Sequence, residues 1–244
     1  MPFRERSFSA SAPYSGDWLL ALPIASCGLR LDDEAIRVAV ALRLGLDLGS
    51  SHTCRCGALV DARGQHGLVC KQASSRIARH QQLNDLVTRA LVSAGMPATK
   101  EPVVGLTRRD GKHPDGMTQI LWRSGKLLVW DVTVVSTLAD SYVATAARRC
   151  GEVAKLAAAR KCQKYADIPS AYTFFPTAME TLGSMNDSAY HFFKDLGRKI
   201  SEVSGDSREG SFIFQRLSIT IQRFNAPFST SHSLGTTMSF HICF

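Results

Sequence analysis

Helical and strand-like spacings of apolar residues alternate along the chain from residue 74 onward. In the segment 74–95, apolar residues recur along one helix face, which predicts a long amphipathic helix that ends at Gly95. Two runs of strand-forming residues follow at 115–122 and 126–135, and the turn formers between them predict a tight hairpin. The second run is apolar on both faces, which is typical of a central strand in a covered sheet. The predicted inward positions of the helix are Leu83, Leu86, Val87, Ala90, Leu91 and Ala94.

More helices and one further strand are predicted after the hairpin. An Ala-rich helix spans 139–168, a strand spans 171–180, and two amphipathic helices span 188–203 and 208–225. The hairpin is antiparallel, whereas the helical crossover that follows it places the later strand parallel to one of its neighbours. The sequence therefore predicts an α/β fold with a mixed β-sheet flanked by helices.

The chain before residue 73 divides into smaller parts. A shorter helix is predicted within 31–46, where Asp32 or Asp33 caps its start. Its apolar side is predicted to comprise Ile36, Val40, Leu42 and Leu44. The predicted division of the whole chain is a disordered N-terminus (1–16), a helical lead-in (17–50), a cysteine-rich segment (51–72), the α/β domain (73–225) and an irregular tail (226–244).

Composition restricts the class of protein. The 244 residues are 45% hydrophobic and 20% charged, which is enough apolar sequence for a sizeable core. No apolar run reaches the roughly 18 residues of a membrane-spanning helix, so no membrane partner is expected. The seven cysteines are an odd number, and the first residues lack the apolar centre of a signal peptide. Reduced thiols are therefore favoured over a disulfide framework.

Positive charge is concentrated in two blocks. The net charge is +8, and residues 71–113 and 145–165 each carry a local +5 in an otherwise slightly acidic chain. Such blocks favour a polyanionic partner, although two solvated helix faces would give the same pattern. The predicted phosphate-contacting residues are Arg76, Arg79, Arg108, Arg109, Lys112, Arg148 and Arg149.

The cysteine-rich segment contains a candidate metal site. Cys54, Cys56, His66 and Cys70 follow the spacing C-x-C-x₉-H-x₃-C. Three thiolates and one imidazole are a sufficient set for tetrahedral zinc, and a closed set of four protein ligands indicates a structural ion. A cluster of free thiols in a loop is the alternative. The sequence therefore predicts a structural zinc knuckle within 51–72.

The predicted hairpin brings two carboxylates together. A turn at 123–125 places Asp115 and Asp131 opposite each other or one step out of register, close enough to share a divalent cation such as Mg²⁺. Asp131 lies in an otherwise apolar strand, where an unpaired charge is costly. A salt bridge to a neighbouring helix is the structural alternative. Lys161 lies on the next predicted helix, and it approaches both acids if that helix packs over the hairpin.

The order of these motifs resembles the C-terminal region of site-specific non-LTR retrotransposon polyproteins. In that region a zinc knuckle precedes a restriction-like PD-(D/E)xK endonuclease domain, whose lysine is displaced onto the following helix. The resemblance covers residues 17–225, and it depends on the ordered set rather than on any one motif. The matching motifs are the knuckle at 54–70, Arg79-His80, His113-Pro114-Asp115, Trp130-Asp131-Val132-Thr133 and Lys161-Cys162-Gln163-Lys164-Tyr165.

The resemblance implies a nuclear enzyme that nicks DNA at an integration site, with the element's RNA as a further candidate partner. Asp115 and Asp131 would hold Mg²⁺, and Lys161 would activate water or stabilise the transition state. Lys164 and Tyr165 would support the site, and His80 would shape it.

Two departures from the family pattern and two other functions remain open. Thr133 stands where the ordinary nuclease pattern has its lysine. The chain also has no room for a reverse transcriptase, which suggests a fragment, a truncated copy or a domesticated derivative. A zinc-containing nucleic-acid-binding module without catalysis is the main alternative function, and a purely structural interaction domain is a third.

Overall fold

A four-stranded mixed sheet organises the protein, and strand β5 is one of its two central strands. The computed structural model of the protein describes residues 10–102, 105–108 and 110–229. The sheet has the order β3-β4-β5-β6, in which β3–β4 and β4–β5 are antiparallel and β5–β6 is parallel. Its strands are β3 (Ala98–Lys100), β4 (Gly116–Arg123), β5 (Lys126–Val135) and β6 (Tyr172–Glu180). The predicted mixed α/β fold and the parallel placement of the later strand are confirmed.

The hairpin between β4 and β5 has the predicted tight turn. Ser124 and Gly125 form it, and both have positive φ angles, 51° and 70°. Two positive φ angles define the turn type whose twist matches a β-hairpin. The ladder begins at the turn with Arg123 opposite Lys126, and two register shifts further along bring Gly116 opposite Trp130. The next pair along this register is Asp115 and Asp131, as the sequence predicts.

Helices cover both faces of the sheet. On one face, α3 (Ser74–Ser93), α6 (Asp187–Ser204) and α7 (Glu209–Ser229) pack against the apolar side chains of β5. All six predicted inward positions of α3 are buried. The other face is covered by α5 (Glu152–Lys164), whose alanines contact Ala178 of β6. The carboxylate of Asp131 lies on this second face, because side chains alternate along β5.

The long helix predicted over 139–168 is wrong as a single element. The chain forms α4 (Asp140–Ala146), a turn at 147–151, and then α5. Gly151 adopts a left-handed conformation, with φ of 75°, just before α5 begins. A Cβ atom at this position would lie 2.9 Å from the backbone oxygen of Met185. Close packing against residue 185 and a conformation suited to glycine therefore break the helix.

The N-terminal region is more ordered than predicted. Residues 1–9 lie outside the described residues, but residues 10–16 form a packed turn rather than a disordered end. Ser15 is fully buried, and the ring of Tyr14 stacks on Phe214 with centroids 4.1 Å apart. Aromatic packing onto α6 and α7 fixes this segment, and such long-range contacts have no local sequence pattern.

The lead-in at 17–50 contains two short 3₁₀ turns, Asp17–Leu19 and Ala25–Cys27, and helix α1 (Asp33–Leu44). Asp32 caps α1, and its carboxylate accepts a hydrogen bond of 2.7 Å from the Ala35 backbone. Most of the predicted apolar side is wrong, because small residues of α1 face α7 and allow the two helices to approach closely. The exposed members of the predicted side are Ile36, Val40 and Leu44.

The cysteine-rich segment and the C-terminal helix complete the fold. Strands β1 (His52–Thr53) and β2 (Leu59–Val60) form a small antiparallel pair, and α2 (Gln65–Val69) follows them. The predicted tail at 226 begins too early, because α7 continues to Ser229 and Ala226 is buried against the lead-in. Residues 230–244 lie outside the described residues. Within the described ranges, no helix is long and apolar enough to cross a membrane.

Gly116 and Trp130 make an unusually close cross-strand contact beside the two acids. The indole ring of Trp130 is fully buried and lies over the Gly116 backbone. A Cβ atom at Gly116 would lie 2.1 Å from the nearest ring carbon. The indole N–H donates to the side-chain oxygen of Asn84 on α3 at 2.8 Å, which fixes the ring in place. Only glycine therefore fits at position 116.

Replacing Gly116 with alanine should destabilise the protein. We expect a loss of roughly 1–3 kcal/mol in the free energy of unfolding, because overpacking forces the indole or the strand to move. Chemical denaturation monitored by circular dichroism measures this change. Gly210→Ala is the matched control, since a Cβ atom at Gly210 in α7 meets nothing within 4 Å. Equal stability of the two variants would contradict the tight contact.

Candidate functional site

Asp115 lies just before strand β4 and is held by contacts on three sides. Its Oδ2 atom accepts hydrogen bonds from the Val132 backbone at 2.6 Å and from His80 Nε2 at 3.0 Å. Its backbone oxygen accepts from the side chain of Asn84 at 3.2 Å and from the backbone of Glu101 at 2.9 Å. This carboxylate is therefore fixed in position by the helix, the neighbouring strand and the preceding loop.

Asp131 is a buried carboxylate whose charge is neutralised from helix α5. Its side chain is only 3% exposed. Lys161 donates from Nζ to Oδ1, and Lys164 Nζ lies 3.8 Å from Oδ2. The two lysines are three residues apart, which places them on one helix face above Asp131. The predicted approach of Lys161 to the acids occurs, and it takes the form of an ion pair with Asp131.

Tyr165 ends helix α5 and links it to the loop before β4. Its hydroxyl donates to the backbone oxygen of His113 at 2.8 Å and accepts from Lys164 Nζ at 2.7 Å. Burial is the main cause that raises the pKa of Tyr165 well above its usual value. The phenol therefore stays neutral and acts as a hydrogen-bonding link rather than as an acid. It fixes the last turn of α5 against residue 113, two residues before Asp115.

The pKa values of His80 and Lys164, which lie near the acids, shift in opposite directions. The hydrogen bond to Asp115 raises the pKa of His80, and partial burial opposes this change. Burial lowers the pKa of Lys164, and the positive charges of Lys161, Arg108 and Lys112 act in the same direction. The positive charge around the acids therefore comes from α3, from α5 and from the loop before β4.

This arrangement has the donor set of a divalent-cation site. Asp115 and Asp131 supply carboxylate oxygens, which are the ligands that Mg²⁺ prefers, and Mg²⁺ completes its six positions with water or substrate oxygens. Lys161 supplies a cation at the same place. Two carboxylates and a lysine can bind a metal and stabilise negative charge on a phosphate. Thr133 lies on the same strand face as Asp131, two residues further on, and supplies no charge.

The second candidate site is formed by Cys54, Cys56, His66 and Cys70. Their ligand atoms all lie within 4.8 Å of one another. The Sγ atoms of Cys54 and Cys70 are 3.8 Å apart, and Cys56 Sγ is 3.1 Å from His66 Nε2. Zinc–sulfur bonds of about 2.3 Å in a tetrahedron place two thiolates about 3.8 Å apart. These four residues can bind a metal ion such as zinc.

The backbone around these ligands also suits a metal site. Gly57 closes the turn after the Cys-x-Cys pair with φ of 85°, and Gly64 precedes the helix of His66 with φ of 66°. A hydrogen bond from the Cys56 backbone is the main cause that lowers the pKa of Cys54 to about 7. A thiol that ionises near neutral pH is ready to coordinate a metal.

The predicted phosphate-contacting residues lie in different environments in the structure. Arg76, Arg148 and Arg149 are exposed, and Arg108 and Lys112 lie in the loop before β4. The prediction for Arg79 is wrong, because its residue is only 2% exposed and its guanidinium donates to Asn225 of α7 at 3.0 Å. Burial lowers the pKa of Arg79 to about 10, and this side chain ties α3 to α7. Arg109 lies outside the described residues.

Asn84 is a site residue that the sequence analysis missed. It contacts both the backbone of Asp115 and the indole of Trp130. A signal was present, because Asn84 follows His80 by four residues and therefore shares its helix face. A polar side chain next to the apolar face of α3 is best explained by a polar partner on the sheet.

Comparison with known proteins does not assign this chain to a family. No protein-family model matches the chain, and no curated protein matches its sequence. The contacts of Asp115, Asp131 and Lys161 and the Cys/His cluster therefore carry the functional argument.

The purified protein should contain about one zinc ion per chain, because a set of three thiolates and one imidazole binds zinc tightly near neutral pH. Cys56→Ser should release the ion and loosen residues 50–72, while the sheet keeps its structure. Elemental analysis and hydrogen exchange measure these two effects. Cys27→Ser is the matched control, since Cys27 is an exposed thiol outside the cluster. Wild-type protein without bound metal would contradict the site.

Proposed function

We propose that the protein is a metal-dependent DNA endonuclease of the restriction-like type, which nicks its target by phosphodiester hydrolysis. The observation that carries the proposal is an arrangement of two acids and a lysine from three separate elements. Lys161 forms an ion pair with Asp131, and Asp115 accepts a hydrogen bond from the backbone of Val132, the residue after Asp131. The ordered resemblance to the endonuclease region of non-LTR retrotransposon polyproteins supports the same class. The four-stranded mixed sheet with helices on both faces is compatible with it.

In this proposal Asp115 and Asp131 hold Mg²⁺ at the edge of the hairpin. A bound Mg²⁺ ion supplies a Lewis acid for the phosphate and lowers the pKa of its water. The hydrogen bonds to Asp115 from His80 and the Val132 backbone orient the carboxylate before the metal arrives. Such preorganisation is what electrostatic catalysis requires, because the groups need no rearrangement during the reaction.

Lys161 is the proposed catalytic cation. Its ammonium lies against Asp131 and is still 24% exposed, so it can reach a phosphate placed over the acids. Lys164 and Tyr165 act as positioning residues, since they join the end of α5 to the His113 backbone. His80 orients Asp115. The lysine of the ordinary nuclease pattern is thereby replaced from the helix, and Thr133 takes no part.

The Cys/His cluster is proposed to bind a structural zinc ion beside the nuclease domain. Its four protein ligands leave no open coordination position for chemistry. DNA is the proposed substrate and partner, with the positive charge of Arg76, Arg108 and Lys112 directed at its phosphates. Nuclear localisation follows from a chromosomal target, and the RNA of the element is a further proposed partner.

One observation favours a second function, a zinc-containing nucleic-acid-binding module without catalysis. Lys161 and Asp131 form a direct ion pair, as in a purely structural salt bridge. Such a module would keep the basic surfaces and the knuckle. It would bind DNA without cleaving it.

Asp131→Asn should separate binding from cleavage. The change keeps shape and volume but removes one of the two charges proposed to hold Mg²⁺. Nicking of a supercoiled plasmid in Mg²⁺ should fall at least about 100-fold, the loss typical of removing one preorganised electrostatic group. DNA affinity in a gel-shift assay should persist, because a negative charge near the phosphate is gone. Lys161→Ala should have a similar effect on nicking.

Two control variants and treatment with EDTA test whether the loss of nicking is specific to the acids and the metal. Thr133→Ala and Lys155→Ala should nick at nearly the wild-type rate, since neither residue contacts the acids. EDTA should abolish the wild-type reaction. Equal nicking by Asp131→Asn and wild type would refute the endonuclease proposal for this hairpin. Wild-type protein that binds DNA but never nicks it would favour the binding module.

A further inference from the structure

A surface cleft lies between His80, which contacts Asp115, and Lys71, which follows the candidate metal ligand Cys70. Its volume is about 370 Å³, and it lies between the first turns of α3 and the second half of β5. His80 belongs both to this cleft and to the hydrogen bond with Asp115, so the cleft is continuous with the proposed active site. Its lining residues are Lys71, Arg76, Ile77, Arg79, His80, Thr133 and Val134.

Two positive charges at the cleft have no acidic partner among the described residues. Lys71 and Arg76 are both exposed, and neither forms an ion pair within the described part of the chain. The charge of Arg76 also contributes to the lowered pKa of Arg79 beside it. Like charges in one cleft repel each other, and a bound anion would relieve this repulsion.

A second group of basic side chains lies near the acids. Arg108 and Lys112 lie close enough to the end of α5 for their charges to act on Lys164, and they also pair with Asp110 at 3.2 and 3.8 Å. Two basic regions therefore lie near the acids, one in the loop before β4 and one in the cleft. An extended chain of phosphates that crosses the acids would contact both regions.

We propose that Lys71 and Arg76 bind adjacent phosphates of the DNA strand being cut, so that this strand runs from Arg108 and Lys112 across Asp115 and Asp131 into the cleft. The inference rests on the proposed endonuclease function and assigns the path of its substrate. Ile77 lines the same cleft with 66% of its surface exposed, which gives the sugar an apolar contact. The cleft fits the backbone of one strand, since base readout would require hydrogen-bonding groups in place of Ile77 and Val134.

The test is the salt dependence of DNA binding. Affinity for a fluorescein-labelled 20-base-pair duplex is measured by anisotropy in EDTA-free buffer without Mg²⁺, across a series of KCl concentrations. Each lost phosphate contact should lower the slope of log affinity against log salt by about 1. Lys71→Gln and Arg76→Gln should therefore each lower it by about 1, and the double variant by about 2. All slopes are compared at equal zinc content and equal melting temperature.

Lys126→Gln with Lys194→Gln is the matched control, because it removes the same charge elsewhere. Lys126 begins β5, five residues or about 17 Å along the strand from Asp131. Lys194 is exposed on α6 and is not among the residues that line the cleft. The control pair should leave the slope unchanged.

The outcomes separate this inference from the proposed function. An unchanged slope in the double variant, a drop equal to that of the control pair, or wild-type protein that does not bind the duplex at low salt would each overturn the cleft assignment. Plasmid nicking in Mg²⁺ is measured on the same preparations. Loss of slope in a protein that never nicks would support the cleft and refute the endonuclease. Normal nicking with an unchanged slope would support the endonuclease and overturn the cleft assignment.

Discussion

The buried charge of Asp131 is the constraint on which the site depends. A carboxylate 3% exposed in a central strand is costly unless cations and hydrogen bonds surround it. Helix α5 supplies those cations from its last turns, so the helix must lie close to the sheet. Its alanines allow this approach by packing directly on Ala178 of β6. The left-handed Gly151, packed against the backbone of Met185, lies directly before the start of α5.

Both ends of α5 are fixed by specific contacts. At its start, the buried carboxylate of Glu180 accepts a hydrogen bond of 3.1 Å from the Ala154 backbone, where a negative charge also favours the helix dipole. At its end, Tyr165 donates to His113. These contacts belong to β6 and to the loop before Asp115. The helix that carries Lys161 is therefore tied to the same elements that carry the acids.

The features that could be predicted from the sequence are those with local physical causes. The tight turn at Ser124 and Gly125 follows from local turn residues. The facing positions of Asp115 and Asp131 also need the register shifts between Met117 and Arg123, which no local pattern indicates. The strong amphipathic pattern of α3 predicts its buried face correctly, and the spacing of Cys54 to Cys70 predicts the metal cluster. In each case the residues that form the pattern lie within about 20 residues of one another in the sequence.

The features that could not be predicted depend on distant partners. The exposure of Ile36 results from the close approach of α7 to the small residues of α1, and the order at Tyr14 results from its stacking on the ring of Phe214. In the sequence, the charge of Arg79 indicates a phosphate-binding residue. Its hydrogen-bond partner Asn225 lies 146 residues further on, so no local pattern reveals the contact.

The placement of the lysine on α5 has a consequence for how the site works. A lysine at position 133 would be held by the sheet itself, two residues along β5 from Asp131. Lys161 instead depends on the docking of a whole helix, through its alanine face and its two fixed ends. Its ammonium forms an ion pair with Asp131 Oδ1. Under the endonuclease proposal, a cation held by the acids would share Asp131 with this lysine. The ion pair compensates the buried charge of Asp131, so the contact that stabilises the strand also sets the position of the proposed catalytic lysine.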